Sequence, residues 1–478
     1  MVSAIATKDK PSMIKLTTTI GFGSILQGTS SVHGNPLKSD DIKQVKQKFG
    51  FNPQETFFVP QEVYDQYHEH AAEGTAAELE WNKLFESYGK EHKSLHCELN
   101  RRLTRNLPES WEKALPTFKP CDASNATRKL SGAVLEAIHE ILPELVSGSA
   151  DLTGCNYTRW SNAVDFQPPA LSIGDWTGRY IRYGVREHAM AGIMNGLSAY
   201  GTIIPVGGTF LNFLSYASGA VRLSALSHQR IIYIATHDSI GLGEDGPTHQ
   251  PVETLAHFRA LPNIMVWRPA DGNETCAAFY MALTCKGTPS ILSLTRQNLP
   301  HIEASTLPKA IKGGYVALEK KDASITLVST GSEVSLCLEA VGALESQGLT
   351  ARVVSLPCWE VFDAQDLDYK LSVIPDGIPT MSVEVMSTFG WEKFSHEQFG
   401  LNRFGASGPF KEVYAVSSSL KHGSITRSST EMNYRNLSSL LRVLSNAQRR
   451  LSTSTKMSNH SVRLSAMLSH SLYGCLRG

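Results

Sequence analysis

Residues 178–201, GRYIRYGVREHAMAGIMNGLSAYG, decide how the rest of the chain is read. An Arg-rich, Gly-bearing half (Arg179, Arg182, Gly184, Arg186) gives way at Glu187 to an amphipathic pattern. Ala189, Ile193, Met194 and Leu197 then fall at near-helical spacing, with Gly201 as the stop. The spacing predicts a helix whose first turn holds Glu187 at the positive end of the helix dipole. A carboxylate is stabilised there by about 0.3–1 kcal/mol and can meet a ligand. An isolated Glu in that place more often does no more than favour the helix start, so its meaning rests on what surrounds it.

Outward from this run the pattern alternates. TRKLSGAVLEAIHEIL (127–142) reads as a helix and LVSGSADL (145–152) as a short strand. IIPVGGTF (203–210) reads as a strand opening into a helix, LNFLSYASGAVRLSALS (211–227). RIIYIATHDSIGLGEDGPTHQP (230–251) is an apolar strand breaking into a Gly-rich polar loop, and NIMVWRPAD (263–271) and SILSLTRQN (290–298) repeat the theme. Such alternation predicts an α/β fold of mainly parallel sheets covered by helices, with ligands collecting beyond the carboxyl ends of the strands. A smaller α/β unit follows the linker HIEASTLPKAIKGG (301–314), built from SITLVSTGSEVSLCLEAVGALESQG, ARVVSLP and PTMSVEV, and ends near Gly408.

The flanks read differently. MIKLTTTI (13–20) has the β-branched content of a strand and runs into a Gly/Ser-rich loop bearing His33. SDDIKQVKQKFG (39–50) reads as one helix and AAELEWNKLFESYGKEHKSLHCELNRRL (76–103) as a single long one. Beyond Tyr414, nine Lys/Arg face one acidic residue among sixteen serines with no sustained period, which reads as a disordered tail. The expected segments are 1–115, 116–305, 306–414 and 415–478.

Composition removes whole classes of function. Lys plus Arg and Asp plus Glu are equal at 45 each, so the overall charge points to neither nucleic acid nor an anionic membrane as partner. Eight scattered cysteines without a CxxC pair suit reduced thiols in the cytoplasm better than a disulfide or zinc framework. No apolar run approaches the ~20 residues of a membrane helix.

Several residue groups carry chemistry. Phe210, Phe213 and Tyr216 recur every three residues and would share one helix face, where a flat aromatic ligand can stack; such a stripe is more often core. The loop from His237 to His249 adds Asp238, Glu244 and Asp245 among glycines directly after an apolar strand, a density of titratable groups that structure does not require. Its spacing matches no common metal-ligand pattern. Arg128, at a helix start, and Arg296, after a strand, can each present a guanidinium fork to a phosphate.

SADLT, RYIRYGVREHAM, GGTFLNF, THDSIGLGEDGPTHQP, WRPADGNE and TRQNLP, in this order and spacing, closely resemble transketolase of the fungal type, from about Lys10 to Tyr414. The resemblance implies transfer of a two-carbon ketol unit between sugar phosphates in the pentose phosphate pathway. It implies thiamine diphosphate and Mg2+ or another divalent cation as cofactors, and a homodimer or pairing with intact transketolase protomers as the assembly. By position it implies that Glu187 protonates the aminopyrimidine ring and that Phe210, Phe213 and Tyr216 stack on it. His33, His237 and His249 would line the substrate channel, with His33 also near the cofactor and His33 and His249 among the catalytic groups. Asp245 would hold a sugar hydroxyl, and Arg128, Arg296 and His237 would surround the phosphate. Cys155 stands where the family has a phosphate-binding Ser, a weaker donor in its place.

The family's Gly-Asp-Gly and later Asn, which hold diphosphate and metal, are not found in the expected place. Gly243–Gly246 (GEDG) with Asn273 mimics them within the pyrimidine-binding domain and reads as a decoy. The expectation is therefore a chain that begins at the last strand of the diphosphate-binding domain and lacks most of it. Alternatives consistent with that are a non-catalytic paralogue, one chain of a split thiamine diphosphate enzyme, and dihydroxyacetone synthase as a close neighbour.

Overall fold

The computed structural model describes residues 1–346 and 348–419, the last five by backbone alone. The rest of the Ser/Arg-rich tail lies outside the described residues. Two compact units are present, residues 1–96 and residues from Cys97 onward.

In the first unit, the helix Ser39–Lys48 contributes buried Asp41, which gathers the loop before it. Asp41 accepts from Ser24 Oγ at 2.5 Å, Ile25 N at 3.1 Å and Gln44 Nε2 at 2.6 Å. The strand expected over 13–20 does not form: β-branched residues need a neighbouring strand to pair with, and Met13 and Leu16 stand exposed without one. The single helix expected over 76–103 is two, Gln61–Glu91 and Lys93–Leu103. His92 leaves helical geometry (φ −125°, ψ 56°) with no Gly or Pro to announce it. None of the 31 residues of Gln61–Glu91 is buried.

The second unit holds, among the described residues, thirteen strands in two sheets. The larger sheet contains β1 Leu145–Ser149, β2 Asp165–Phe166, β3 Gly174–Asp175, β4 Tyr180–Arg182, β5 Ile204–Phe210, β6 Ile232–Thr236, β7 Met265–Trp267 and β8 Ser290–Leu294, in the order β3-β2-β4-β1-β5-β6-β8-β7. Every pairing in it is parallel. The smaller sheet contains β9 Tyr315–Leu318, β10 Ile325–Ser329, β11 Ala351–Ser355, β12 Thr380–Val383 and β13 Glu397–Phe399, with β9 alone antiparallel. The expected α/β class with mainly parallel sheets is what forms. β1, β5, β6 and β8 are almost wholly buried because both faces are covered. One apolar core runs from Val134 and Ile234 across to Leu327 and Val353, joining the two sheets.

After β1 the chain moves to one side of the sheet and after β5 to the other, so the topological switch lies between these neighbours. Register aligns the carboxyl ends along one edge: Ser149 faces Arg182 and Gly208, Phe210 faces Thr236, and Thr236 faces Leu294. The helix Glu187–Tyr200 forms as its spacing predicts and closes on Gly201 at φ 99°. It seats closely on β5 because Gly207 has no side chain. A Cβ there would stand 2.3 Å from Met194 Sδ.

Other boundaries differ from expectation. Residues 211–227 are not one helix but Leu211–Leu214, a 3-10 turn Ser215–Ala217, and Ser218–Leu226. Residues 97–115 pack with the second unit, where Arg101 pairs with Glu144 at 2.7 Å and Trp111 enters the core. A helix, Phe410–Ser419, crosses residue 414, and its Val413 joins Ile240, Val252 and Leu401 in an apolar cluster.

Candidate active site

The aligned carboxyl edge brings most of the singled-out residues of the second unit together. Phe210 ends β5 rather than lying on a helix, Phe213 sits in the short helix after it, and Tyr216 occupies the 3-10 turn. The three-residue spacing therefore reports a tight corner and not a helical stripe. The rings still form a platform: Phe210 and Phe213 stack at 5.5 Å with 13° between planes, and Phe213 and Tyr216 centroids lie 6.3 Å apart. His249 meets the edge of Phe213 at 5.0 Å and keeps its Nδ1 on Thr248 Oγ1 at 2.8 Å.

His237 follows β6 with a left-handed backbone, φ 60°, and is only 3% exposed. Its ring lies 3.7 Å from that of Phe210. The hydrogen bonds around it fix its tautomer. Asn156 Nδ2 donates to Ser149 Oγ at 3.0 Å, and Thr236 Oγ1 donates its one proton to Asn156 Oδ1 at 2.6 Å. Thr236 Oγ1, 2.8 Å from His237 Nδ1, is then left to accept, so Nδ1 carries the hydrogen and Nε2 the lone pair. Arg128 Nη1 donates to that Nε2 at 3.4 Å and to the Cys155 carbonyl at 3.0 Å. Burial, with Arg128, Arg296 and His249 close by, pushes the His237 imidazole down to about 3, so it is neutral at physiological pH.

Arg128 rests over the Tyr157 ring at 5.5 Å and has no carboxylate partner among the described residues. Burial lowers its pKa, with Arg296 adding repulsion. Arg296 donates to the Leu242 carbonyl at 2.5 Å and lies 3.7 Å from the exposed carboxylate of Glu244. Two guanidinium groups thus converge beside His237, Arg128 without a carboxylate partner among the described residues and Arg296 with the exposed Glu244, which suits a phosphate. Cys155, with an exposed thiol, stands beside them, and Asp245 is exposed on the same loop as Glu244.

Glu187 opens its helix a few residues past β4 and is 9% exposed. Its carboxylate has no hydrogen-bond or ion-pair partner among the described residues, and its oxygens remain open to solvent and so to a ligand. His33 is exposed at the end of the 3-10 turn Ser30–Val32 in the first unit. Asn273 is occupied elsewhere: its side chain accepts from Phe118 N at 3.0 Å and donates to the carbonyls of Phe118 and Ser305, both at 2.9 Å, so it is not free to act with GEDG. Among the described residues no group of three or more His, Cys, Asp or Glu could hold a metal ion.

Sequence reading missed Asn156, which ties β1 to β6 beneath His237, and Gln250, whose Nε2 donates to the carbonyls of Gly243 at 3.2 Å and Ala406 at 3.0 Å. Neither stands in a charged or repeated pattern that would draw notice.

Comparison with known proteins agrees with this geometry. Three family descriptions match: the transketolase thiamine diphosphate binding domain over residues 1–108, the transketolase pyrimidine binding domain over 123–301, and the transketolase-like C-terminal domain over 313–418. The first match corrects the expectation that the chain begins at the last strand of the diphosphate-binding domain and lacks most of it. A probable transketolase of Schizosaccharomyces pombe is 63% identical over 86% of this chain and 60% of its own length. Transketolase 1 of Saccharomyces cerevisiae is 58% identical over 87% of this chain and 61% of its own. A Craterostigma plantagineum chloroplastic transketolase is 44% identical over 86% of this chain and 80% of its own length. The crystal structure of a Pichia stipitis transketolase complex with sedoheptulose 7-phosphate superposes with a TM-score of 0.85 at 56% identity, covering 92% of this chain and 63% of that one. The chain thus spans about three-fifths of the length of the fungal relatives it matches. None of these comparisons supports a non-catalytic paralogue, a split-enzyme chain or a dihydroxyacetone synthase. Sheet topology, the edge-clustered site and the three matched domains have one conclusion: the chain belongs to the transketolase family.

Proposed function

We propose that this chain acts as a transketolase, moving a two-carbon ketol unit between sugar phosphates with thiamine diphosphate. The observation that carries this reading is the meeting of the Arg128–His237–Arg296 cluster, whose carboxylate neighbour is the exposed Glu244, with an aromatic platform on the sheet edge that also bears Glu187. When bound, thiamine diphosphate supplies the carbon nucleophile that takes up the ketol unit. The pyrimidine-facing residues present suit that group: Phe213 with Phe210 and Tyr216 offers a stacking surface, and Glu187 offers an unpaired carboxyl to a ring nitrogen.

Glu187 holds and moves a proton at that nitrogen, favoured by the helix N-terminus and by the absence of any competing partner. Arg128 and Arg296 bind the substrate phosphate. His237 keeps its Nε2 lone pair on Arg128 and so orients that guanidinium toward the site. His249 acts on the sugar as a proton carrier, and Asp245 holds a hydroxyl. The family expectation of Mg2+ or another divalent cation has no ligand set among the described residues, and no step is assigned to one.

The exposed apolar rim of the second unit, with Trp176 at 60%, Val185 at 75% and Tyr216 at 71%, is of the kind a second copy covers, which supports a homodimer. The seven described cysteines are unpaired, which supports a cytoplasmic setting. A coupled assay of ketol transfer from xylulose 5-phosphate to an aldose phosphate tests the reading. Transfer that depends on thiamine diphosphate is the expected result; cofactor binding without any transfer would sink it.

A further inference from the structure

His237 holds a left-handed backbone within the site, and something must keep it there. On its N-terminal side β6 and the Thr236–Asn156 hydrogen bond do so. On its C-terminal side stands Asp238, 1% exposed, whose side chain has one partner, Arg268 Nε at 2.9 Å. Its other oxygen, Oδ1, is buried without a partner. A left-handed backbone at a non-glycine residue persists only where its neighbours over-determine it.

Arg268 is wholly buried and all its nitrogens are engaged. Nη1 donates to the Thr330 carbonyl and to Thr330 Oγ1, both at 3.1 Å, and to Glu333 Oε2; Nη2 donates to Ser332 Oγ at 3.3 Å. Glu384 lies 3.7 Å away and is itself gripped by Arg259 at 2.8 and 2.9 Å. Thr330, Ser332, Glu333 and Glu384 all belong to the smaller α/β domain. Backbone bonds fix Arg268 as well, from Arg268 N to the Pro357 carbonyl at 2.8 Å and from Gly331 N to the Arg268 carbonyl at 3.0 Å.

We propose that Arg268 is a positioning residue for His237: anchored in the smaller domain, it holds Asp238 and thereby keeps the His237 imidazole turned into the site. This rests on the reading of His237 as a substrate-facing group. Without Arg268 the Asp238 carboxylate would be a buried charge with no partner, and the segment carrying it would swing toward water to be solvated. His237 would move with it, out of its apolar contact with Phe210 and away from Arg128. The docked smaller domain is then part of what shapes the site, although none of its residues described above touches His237.

The test follows the His237 ring itself in the full chain labelled at histidine 13Cε1, its signal assigned by loss in His237→Gln. In the unaltered protein that signal should stay at its neutral position from pH 8 down to pH 5, because burial and the guanidinium groups hold the ring uncharged. Arg268→Met should bring its titration midpoint into that window, a rise of about two pH units or more toward the ordinary imidazole value. Asp238→Ala, which leaves the Arg268–Glu333 contact intact, should move the midpoint the same way by a smaller amount, and it decides the matter if Arg268→Met does not fold. Glu333→Gln should lower thermal stability and leave the His237 signal where it was. The proposal fails if a folded Arg268→Met, or else Asp238→Ala, keeps His237 neutral to pH 5, or if Glu333→Gln moves it as far as Arg268→Met does. A calorimetric titration of the unaltered chain with inorganic phosphate separates the two questions: no phosphate binding would overturn the proposed phosphate role of the site while the His237 titration still decides the part played by Arg268.

Discussion

Glu187 and Glu384 are both buried acids in one compact unit, and they live in opposite circumstances. Glu384 accepts from Arg259 twice, from Thr330 Oγ1 and from Trp391 Nε1 at 2.8 Å; burial opposes its charge, yet Arg259 and Arg268 hold its carboxyl down at about 2. Glu187 has no such partners among the described residues and lies at a helix N-terminus on the ligand-collecting edge of the sheet. The difference teaches what each burial is for. A seam between domains satisfies its charges internally, because a buried ion left unpaired is expensive, whereas a site leaves a group unsatisfied so that a ligand can complete it.

The largest expected effect tests the unsatisfied acid. Glu187→Gln keeps the shape and removes the transferable proton, so in any assembly that turns over it should cost about 10²–10⁴ in kcat, with far-UV dichroism and melting temperature nearly unchanged. Near-normal turnover would take Glu187 out of the mechanism. Glu384→Gln should show the reverse pattern. It leaves Arg259 without a counter-charge in a dry seam, so a loss of about 3 kcal/mol in urea denaturation is expected. An unchanged midpoint would mean that Arg259, stacked 3.9 Å over Trp359, needs no carboxylate.

A third acid sharpens the comparison because it is buried and satisfied yet has no cation. Glu274 accepts from Ala270 N at 2.6 Å, Ser355 Oγ at 2.6 Å and Tyr315 OH at 2.8 Å. Burial and neighbouring Asp271 nevertheless push its carboxyl up to about 7. The folded chain therefore holds this proton more tightly than the unfolded one. Its stabilising effect is complete below the unfolded value near 4.5 and is lost as pH rises through 7. Stability should fall by about 2 kcal/mol between pH 5 and 8 on this account. Glu274→Gln should flatten that fall, as read by denaturation across the range; an equal slope in the variant would place the titrating group elsewhere.

These three acids also show what the sequence could and could not disclose. Glu187 was legible because its signals are local: a polar run before it, a helical period after it, a glycine stop. The parallel sheet was legible for the same reason, since each buried strand is its own apolar run. Arg268 was not, because its partners Asp238 and Glu333 lie 30 and 65 residues away and no short pattern links them. The strand expected at 13–20 failed in the opposite direction: β-propensity is a preference for a pleated neighbour, and none is there. Phe210, Phe213 and Tyr216 do meet, but not on the helix face expected of them, since a strand-to-helix corner and a helix can both bring every third residue near. His237 was visible as a residue and invisible as a state, because its tautomer depends on Asn156, 80 residues from Thr236.

The smallest expected effect concerns Cys155, where the site's satisfaction is left to a weak donor. Arg128 takes its direction from the Cys155 carbonyl at 3.0 Å, so the main chain there is fixed whatever the side chain is. Cys155→Ser then changes only what the side chain can offer an anion: a hydroxyl donates a stronger hydrogen bond than a thiol. The thiol is exposed, so part of any gain is returned to water, and a net improvement of about 0.5–1 kcal/mol is expected, a two- to five-fold tighter inorganic phosphate Kd by calorimetry. Tightening of that size, alongside an unaltered melting temperature, would place the phosphate against residue 155 as well as Arg128. No change in Kd would put the phosphate on the His237 and Arg296 side of Arg128, and the unsatisfied half of the comparison would narrow to those groups and Glu187.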